Sequence, residues 1–309
     1  MTHFSVWISA LRLRTLPLAA ASIIVSAGIA INAGIFNPLI FALSLITALF
    51  LQILSNLAND YGDAVSGADN EDRVGPTRSM QTGLISAQSM KKAIILTALL
   101  SLFSGVLLLA ISLGNDLVSW AILFSLGLLA IFAAISYTMG KLPYGYRAMG
   151  DISVFLFFGL LGVLGSYYLY NLSFDWSVLL PACSIGLLSA AVLNINNTRD
   201  METDQAADKI TLVVLFGREF AFKYHLFLVI TAPLLSGLYF YQLADSQTWQ
   251  YIFLLALSPF AKISLALLDA KKGDKSKDER ADIYNQQLKN MAISTFVFSL
   301  LFTLVLIPQ

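Results

Sequence analysis

Nine long apolar runs separated by polar segments set the pattern of this chain. They fall at about residues 16–34, 38–58, 92–113, 117–136, 151–170, 177–197, 222–241, 248–268 and 287–307. Each is close to the roughly 20 residues that a helix needs to cross the hydrocarbon core of a bilayer. The runs are continuous and do not alternate, so each segment has to satisfy its own backbone hydrogen bonds. Helices are therefore predicted, and a barrel is not. The expected fold class is all-α: a polytopic membrane protein of about nine transmembrane helices in a single domain over residues 1–309.

Composition supports the same picture. Hydrophobic residues make up 57% of the chain and charged residues only 12%, and the mean hydropathy is +0.74. Soluble domains carry about 25% charged residues, so the lipid bilayer is the expected surrounding partner. Cys183 is the only cysteine and forms no intramolecular disulfide; it reads as a small buried residue. Arg12 and Arg14 precede the first run as they would a signal sequence. That run is longer than a signal core and is followed by others, so it reads as a retained anchor.

Charge placement then gives a topology. If nine helices alternate across the membrane, residues 1–15, 59–91, 137–150, 198–223 and 269–289 share one side. All 19 Lys and Arg lie on it once Lys262, near the same-side end of the eighth run, is counted there. The opposite loops hold Asp116, Asp175 and Asp245 and no base. Positive-inside placement makes the basic face cytoplasmic, with the N-terminus inside a cytoplasmic (cell inner) membrane. No nucleic-acid partner is expected.

Two acidic stretches stand out on that face. Asn59 to Arg78 reads NDYGDAVSGADNEDRVGPTR, and Asn196 to Lys209 reads NNTRDMETDQAADK. In the first, Asn56, Asn59, Asp60 and Asp63 recur at i, i+3, i+4 and i+7 and so share one helical face. In the second, Asp200, Asp204 and Asp208 repeat every four residues, which predicts a stack of like charges that only a cation would relieve. Asn59-x-x-x-Asp63 matches Asn196-x-x-x-Asp200, while Asp60 has no counterpart. This suggests a parallel pseudo-repeat, with halves at about 1–136 and 137–268 and a last helix over 287–307.

These residue types suit a diphosphate. Magnesium is commonly held by one or two carboxylates together with substrate phosphates. Asp63 with Asp69, and Asp200 with Asp204, are the candidate metal ligands, and Arg73, Arg78, Lys141, Arg147, Arg199 and Lys209 are candidates for the remaining phosphate oxygens. Arg14 either helps orient the first span or helps bind the anion. Lys141, Tyr144 and Arg147 are the candidates for the acceptor side, or alternatively an ordinary basic and aromatic interfacial loop.

At this point the residues show a resemblance. NDYGD…GADNEDRVGPTR with NNTRDMETDQAADKITL resembles the two signatures of the UbiA superfamily of intramembrane prenyltransferases. NDYxDxxxGxD followed by RxGPxR is most similar to its 1,4-dihydroxy-2-naphthoate branch, and RLRTLP and YGYRAMGD fit that branch too. The resemblance implies a nine-helix bundle whose acidic motifs coordinate Mg²⁺ and a polyprenyl diphosphate. It implies roles for Asn59, Asp63 and Asp69 in the first motif and for Asn196, Asn197, Arg199, Asp200 and Asp204 in the second. Lys209 is implied as a diphosphate contact. The implied reaction is Mg-dependent transfer of the polyprenyl group to 1,4-dihydroxy-2-naphthoate with loss of diphosphate and CO₂, giving demethylmenaquinone in menaquinone biosynthesis. Two positions depart from the family pattern: Gly67 stands where many members have Asp, and Asp208 where Gly is usual. The competing readings are another aromatic acceptor, such as 4-hydroxybenzoate, and a divalent-ion transporter, since intramembrane acids often mark ion paths.

Overall fold

The computed structural model describes residues 3–67, 78–243, 247–271 and 275–307. Among them are nine helices long and apolar enough to cross a membrane, one for each apolar run. A short α1 (His3–Leu11) leads into α2 (Leu16–Asn32), α3 (Pro38–Ser66), α4 (Ala87–Leu113) and α5 (Leu117–Ser136). Then come α6 (Gly150–Asn171), π-helical from Phe155 to Gly165, α7 (Leu179–Arg199), the short α8 (Met201–Ala206), α9 (Leu212–Gln242), α10 (Leu257–Lys271), whose span begins in 3-10 turns at Thr248, and α11 (Lys277–Leu304). No strands occur among the described residues.

Local chemistry sets several ends. The Asn37 side chain accepts from Leu39 N at 2.9 Å, and Pro38 opens α3 where its missing N–H costs nothing. Ser86, Asp116 and Thr211 cap α4, α5 and α9 in the same way, and Ser276 with Glu279 forms a capping box on α11. Gly67, at φ 79°, ends α3 in the left-handed region. As a result α3 runs two turns beyond its apolar stretch, and Asn59, Asp60 and Asp63 stand on regular helix.

α7 is the most enclosed span and packs against α6, α9 and α11. Lipid offers no hydrophobic drive between helices, so close packing of small residues carries the contact. A Cβ on Gly159 of α6 would lie 2.7 Å from the Ala182 carbonyl of α7, so only glycine allows this approach. Ser184 of α7 donates to the Ala232 carbonyl of α9 at 2.7 Å. Helices α2 to α6 surround a cavity, with smaller buried apolar clusters packed between them.

Candidate active site

The polar face of α3 is used residue by residue. Asn56 Nδ2 donates to the Leu11 carbonyl and to Thr15 Oγ1, both at 3.0 Å, which ties the RLRTLP segment to α3. Asp60 is buried and pairs with Arg12, and Arg78 Nε stands 3.5 Å from it. Asp63 accepts from Arg78 Nη1 at 2.6 Å and from the Tyr146 hydroxyl at 2.8 Å. Arg78 Nη1 also donates to the Asn59 carbonyl at 3.1 Å, and the Asn59 side chain accepts from Thr138 at 3.2 Å. Arg78 thus clamps the end of α3 to its following loop, in addition to the phosphate-binding role expected of it.

The second motif sits at the end of α7. Arg199 is 4% exposed and grips Asp200 through Nε at 2.7 Å and Nη2 at 2.6 Å. It also donates to Asn196 Oδ1 at 3.0 Å and to Asn285 Oδ1 of α11 at 2.8 Å. Asn197 is buried on the same turn. The predicted stack of Asp200, Asp204 and Asp208 is not formed. The helix breaks at Asp200, α8 carries Asp204 inward, and Asp208 takes a left-handed φ of 53° and is exposed. Asp208 thus leaves the line, while Asp200 and Asp204 stay within range of each other's charge.

Lys209 and Tyr146 join the two halves. Lys209 Nζ lies 3.2 Å from Asp204 Oδ1 and 5.6 Å from the centre of the Tyr146 ring, whose hydroxyl holds Asp63. Burial opposes the charge on Lys209, but Asp63, Asp204 and Asp200 around it outweigh that cost and hold its pKa above the ordinary lysine value. Backbone bonds fix this arrangement: Lys209 N donates to the Asp204 carbonyl, Ala148 N to the Ile210 carbonyl and Ile210 N to the Tyr146 carbonyl. Sequence reasoning passed over Tyr146 and Arg12; the tyrosine-rich segment 136–151 and the position of Arg12 before the first span were their only signals.

Burial pushes the Asp204 carboxyl up to about 6, Lys209 opposes the shift, and the nearby charges of Asp200 and Asp63 add to it. Its Oδ2 is enclosed and accepts no hydrogen bond. Among the described residues no group of three or more acids, histidines or cysteines is arranged to hold a metal alone. Mg²⁺ does not require such a cage, because phosphate oxygens and water complete its shell. The donor set here therefore fits the ion, with the orphaned Asp204 oxygen as its clearest ligand.

The remaining candidates separate. Lys141 and Arg147 are exposed, while Tyr137 and Tyr144 of the same segment face inward. Asp69 and Arg73, with Glu71 and Asp72, lie outside the described residues.

Tyr137 leads from this cluster into a cavity of about 270 Å³. Gln52, Ser55, Tyr137 and Tyr144 line its polar end, and Lys209 and Asp63 act on Tyr137 by charge. The far end meets an apolar cluster of Ile40, Leu43, Leu108, Leu109, Leu113 and Leu169. Along one side Gly127 and Leu128 of α5 line the cavity and are exposed, and a Cβ on Gly127 would meet open space.

Comparison with known proteins agrees with this architecture. Residues 20–304 match the UbiA prenyltransferase family. The chain is 48% identical to a 1,4-dihydroxy-2-naphthoate octaprenyltransferase of Escherichia coli (strain K12), over 81% of this chain and 80% of that protein. It is 47% identical to the protein of that name from Haemophilus influenzae, over 83% of each. A solved UbiA homolog from Archaeoglobus fulgidus bound to Cd²⁺ superposes with a TM-score of 0.65 at 18% identity, covering 98% of this chain and 99% of that one. The two acidic motifs, the nine spans and these matches agree: the chain belongs to the UbiA prenyltransferase family.

Proposed function

We propose that this enzyme transfers a polyprenyl group from its diphosphate to 1,4-dihydroxy-2-naphthoate, releasing diphosphate and CO₂ and giving demethylmenaquinone in its reduced, dihydroxy form. The observation that carries the reading is the meeting of Asp63, Asp204 and Lys209 next to Tyr137, which lines an apolar cavity. The names of the two bacterial relatives narrow the acceptor.

Mg²⁺, when bound, supplies charge stabilisation for the departing diphosphate. Asp63, Asp200 and Asp204 are the residues that would hold it, with Asp69 as a further candidate. Asn59, Asn196 and Asn197 are assigned to the polar lining, and Lys209, Arg78 and Arg199 to the phosphate oxygens, with Arg73 a further candidate from the sequence. As the donor C–O bond breaks, its electron pair leaves with diphosphate, and a ring carbon of the acceptor forms the new C–C bond. The acceptor carboxylate leaves as CO₂ and its bonding pair returns to the ring. The apolar walls keep water from the electron-poor allylic carbon. The site opens toward the cytoplasmic side of an inner membrane, a placement supported by the basic residues gathered on that face.

The experiment is a mass analysis of the lipid made by purified protein from octaprenyl diphosphate and an equimolar mixture of 1,4-dihydroxy-2-naphthoate and 4-hydroxybenzoate. Product carrying the naphthalene ring, short of one CO₂, is expected. Product from 4-hydroxybenzoate alone would reassign the acceptor, and Mg²⁺ flux across vesicles without any product would make the protein a transporter.

The tail is assigned to the cavity, which spans about 16 Å of helix rise from Ser44 to Ser55. A long polyprenyl chain has to leave it, and the open side at Gly127 is the exit. Gly127→Trp is expected to cut turnover of octaprenyl diphosphate at least about tenfold while sparing geranyl diphosphate, on the scale of other overpacked sites. Equal loss for both donors would place the exit elsewhere.

A further inference from the structure

Five aspartates are buried among the described residues: Asp60, Asp63, Asp151, Asp200 and Asp204. Four of them have a cationic partner, Asp60 in Arg12, Asp63 in Arg78, Asp200 in Arg199 and Asp204 in Lys209. Asp151 has none. It is 6% exposed, its Oδ1 is enclosed without a hydrogen-bond partner, and its polar neighbour is the Tyr224 hydroxyl of α9. A buried acceptor left unmet costs about 1–3 kcal/mol, and more when charged. Nothing in the diphosphate cluster requires this residue.

Its position suggests a use. Asp151 stands in the first turn of α6, and Val154 and Phe158, three and seven residues on, line the cavity. Val154 shares Asp151's side of the α-helical turn. From Phe155 to Gly165 the helix is π-helical, so that spacing does not carry on to Phe158. Asp151 itself is buried next to the lining and is not part of it. A Cβ on Gly150 would lie 2.7 Å from the Tyr137 hydroxyl, so the hydroxyl end of Tyr137 rests against this same turn. Tyr137 lines the cavity and lies in the field of Lys209, Asp63 and Asp151. Its hydroxyl makes no hydrogen bond to a described residue. The Tyr144 hydroxyl beside it is already engaged, by the Ala133 carbonyl at 3.0 Å and Ser153 Oγ at 2.9 Å.

We propose that Asp151 and the Tyr137 hydroxyl form the polar pocket that receives a ring hydroxyl of the aromatic acceptor. This rests on the prenyl-transfer reading and adds to it the acceptor's seat. A phenolic hydroxyl donates to the free carboxylate oxygen in a charge-assisted bond, which pushes electron density toward the ring carbon that meets the allylic group. Tyr137 donates to, or accepts from, the same oxygen. The negative charge of Asp151 repels the acceptor's own carboxylate, so the ring enters with its hydroxyl toward α6 and its carboxylate turned away. The reacting ring then lies between Lys209, where diphosphate departs, and the apolar cavity that holds the tail.

The test uses the intact protein and the two monohydroxy-2-naphthoates, each lacking one hydroxyl, as competitive inhibitors against dihydroxynaphthoate. In the wild type, the analogue lacking the hydroxyl that meets Asp151 is expected to inhibit about tenfold more weakly than the other, the usual scale for losing a partner of a charged group. Asp151→Leu is expected to abolish that difference and raise the acceptor KM, while leaving the donor KM and thermal stability unchanged or improved. Asp151→Asn, which keeps an acceptor oxygen without charge, is expected to fall between and carries the test if the leucine variant does not insert. A wild type that makes no product from dihydroxynaphthoate removes the prenyl-transfer reading itself. Product formation with equal inhibition by both analogues, or with the difference intact in the variants, removes only the assignment of Asp151.

Discussion

Asp63→Asn and Asp200→Asn are each expected to lower kcat about 10³-fold, equivalent to about 4 kcal/mol of transition-state stabilisation. Both substitutions keep shape and remove one negative charge. Asp63 lies at the junction of the site, bonded to Arg78 and Tyr146 while Tyr146 carries Lys209 on its face. Asp200 balances Arg199, which also holds Asn196 and Asn285. Removing one partner of a buried pair costs about 3–5 kcal/mol of stability, so lost activity has to be separated from lost fold. Asp60→Asn serves as the control. It leaves Arg12 without its buried partner and should lower the thermal midpoint comparably, yet it should retain far more turnover, because Asp60 faces the N-terminal segment and not Lys209. Near-normal turnover in either of the first two variants would remove that residue from the metal and diphosphate assignment.

Chelating divalent cations is expected to abolish turnover completely, and Mg²⁺ to restore it. A carboxylate must lose its proton to bind a metal. The Asp204 carboxyl, pushed up to about 6 by burial, is largely protonated below that pH and ionised above it. The Mg²⁺ concentration for half-maximal turnover should therefore rise by up to about tenfold per unit as pH falls below about 6, and level off above it. Asp204→Asn should remove that pH dependence as well as weaken Mg²⁺ binding, measured directly by calorimetry. Full activity in excess chelator would end the metal mechanism. A Mg²⁺ requirement that does not vary across this range would mean that Asp204 is not a ligand.

Between them these tests separate the chemistry from its scaffold. The acidic motifs are assigned to the leaving group, the cavity and the open side at Gly127 to the tail, and the first turn of α6 to the acceptor. These parts are carried by different helices and fail in different measurements.

The sequence alone determined the number and type of the elements. A lipid-facing helix must pair its backbone internally and bury about 20 apolar residues, and both demands are written locally in the chain. Asn59 with Asp63, and Asn196 with Asp200, were equally legible, because a carboxylate beside an apolar run is costly without a purpose. Only the tertiary structure decided which groups meet. Arg78 turned back onto Asp63, Arg12 reached Asp60, and Tyr146 came to stand between Asp63 and Lys209. Helical periodicity predicted Asp208 in line with Asp204, but the short helix ends at Ala206 and a left-handed φ at Asp208 turns it outward. Lys141 and Arg147 carried the right charge for the site and remain exposed, whereas Asp151, unremarkable in the sequence, is buried without a cation. Spacing along a chain fixes which residues share a helix face. The solvent, charge and partner that each one meets depend on helices far away in sequence, and those contacts exist only once the bundle has closed.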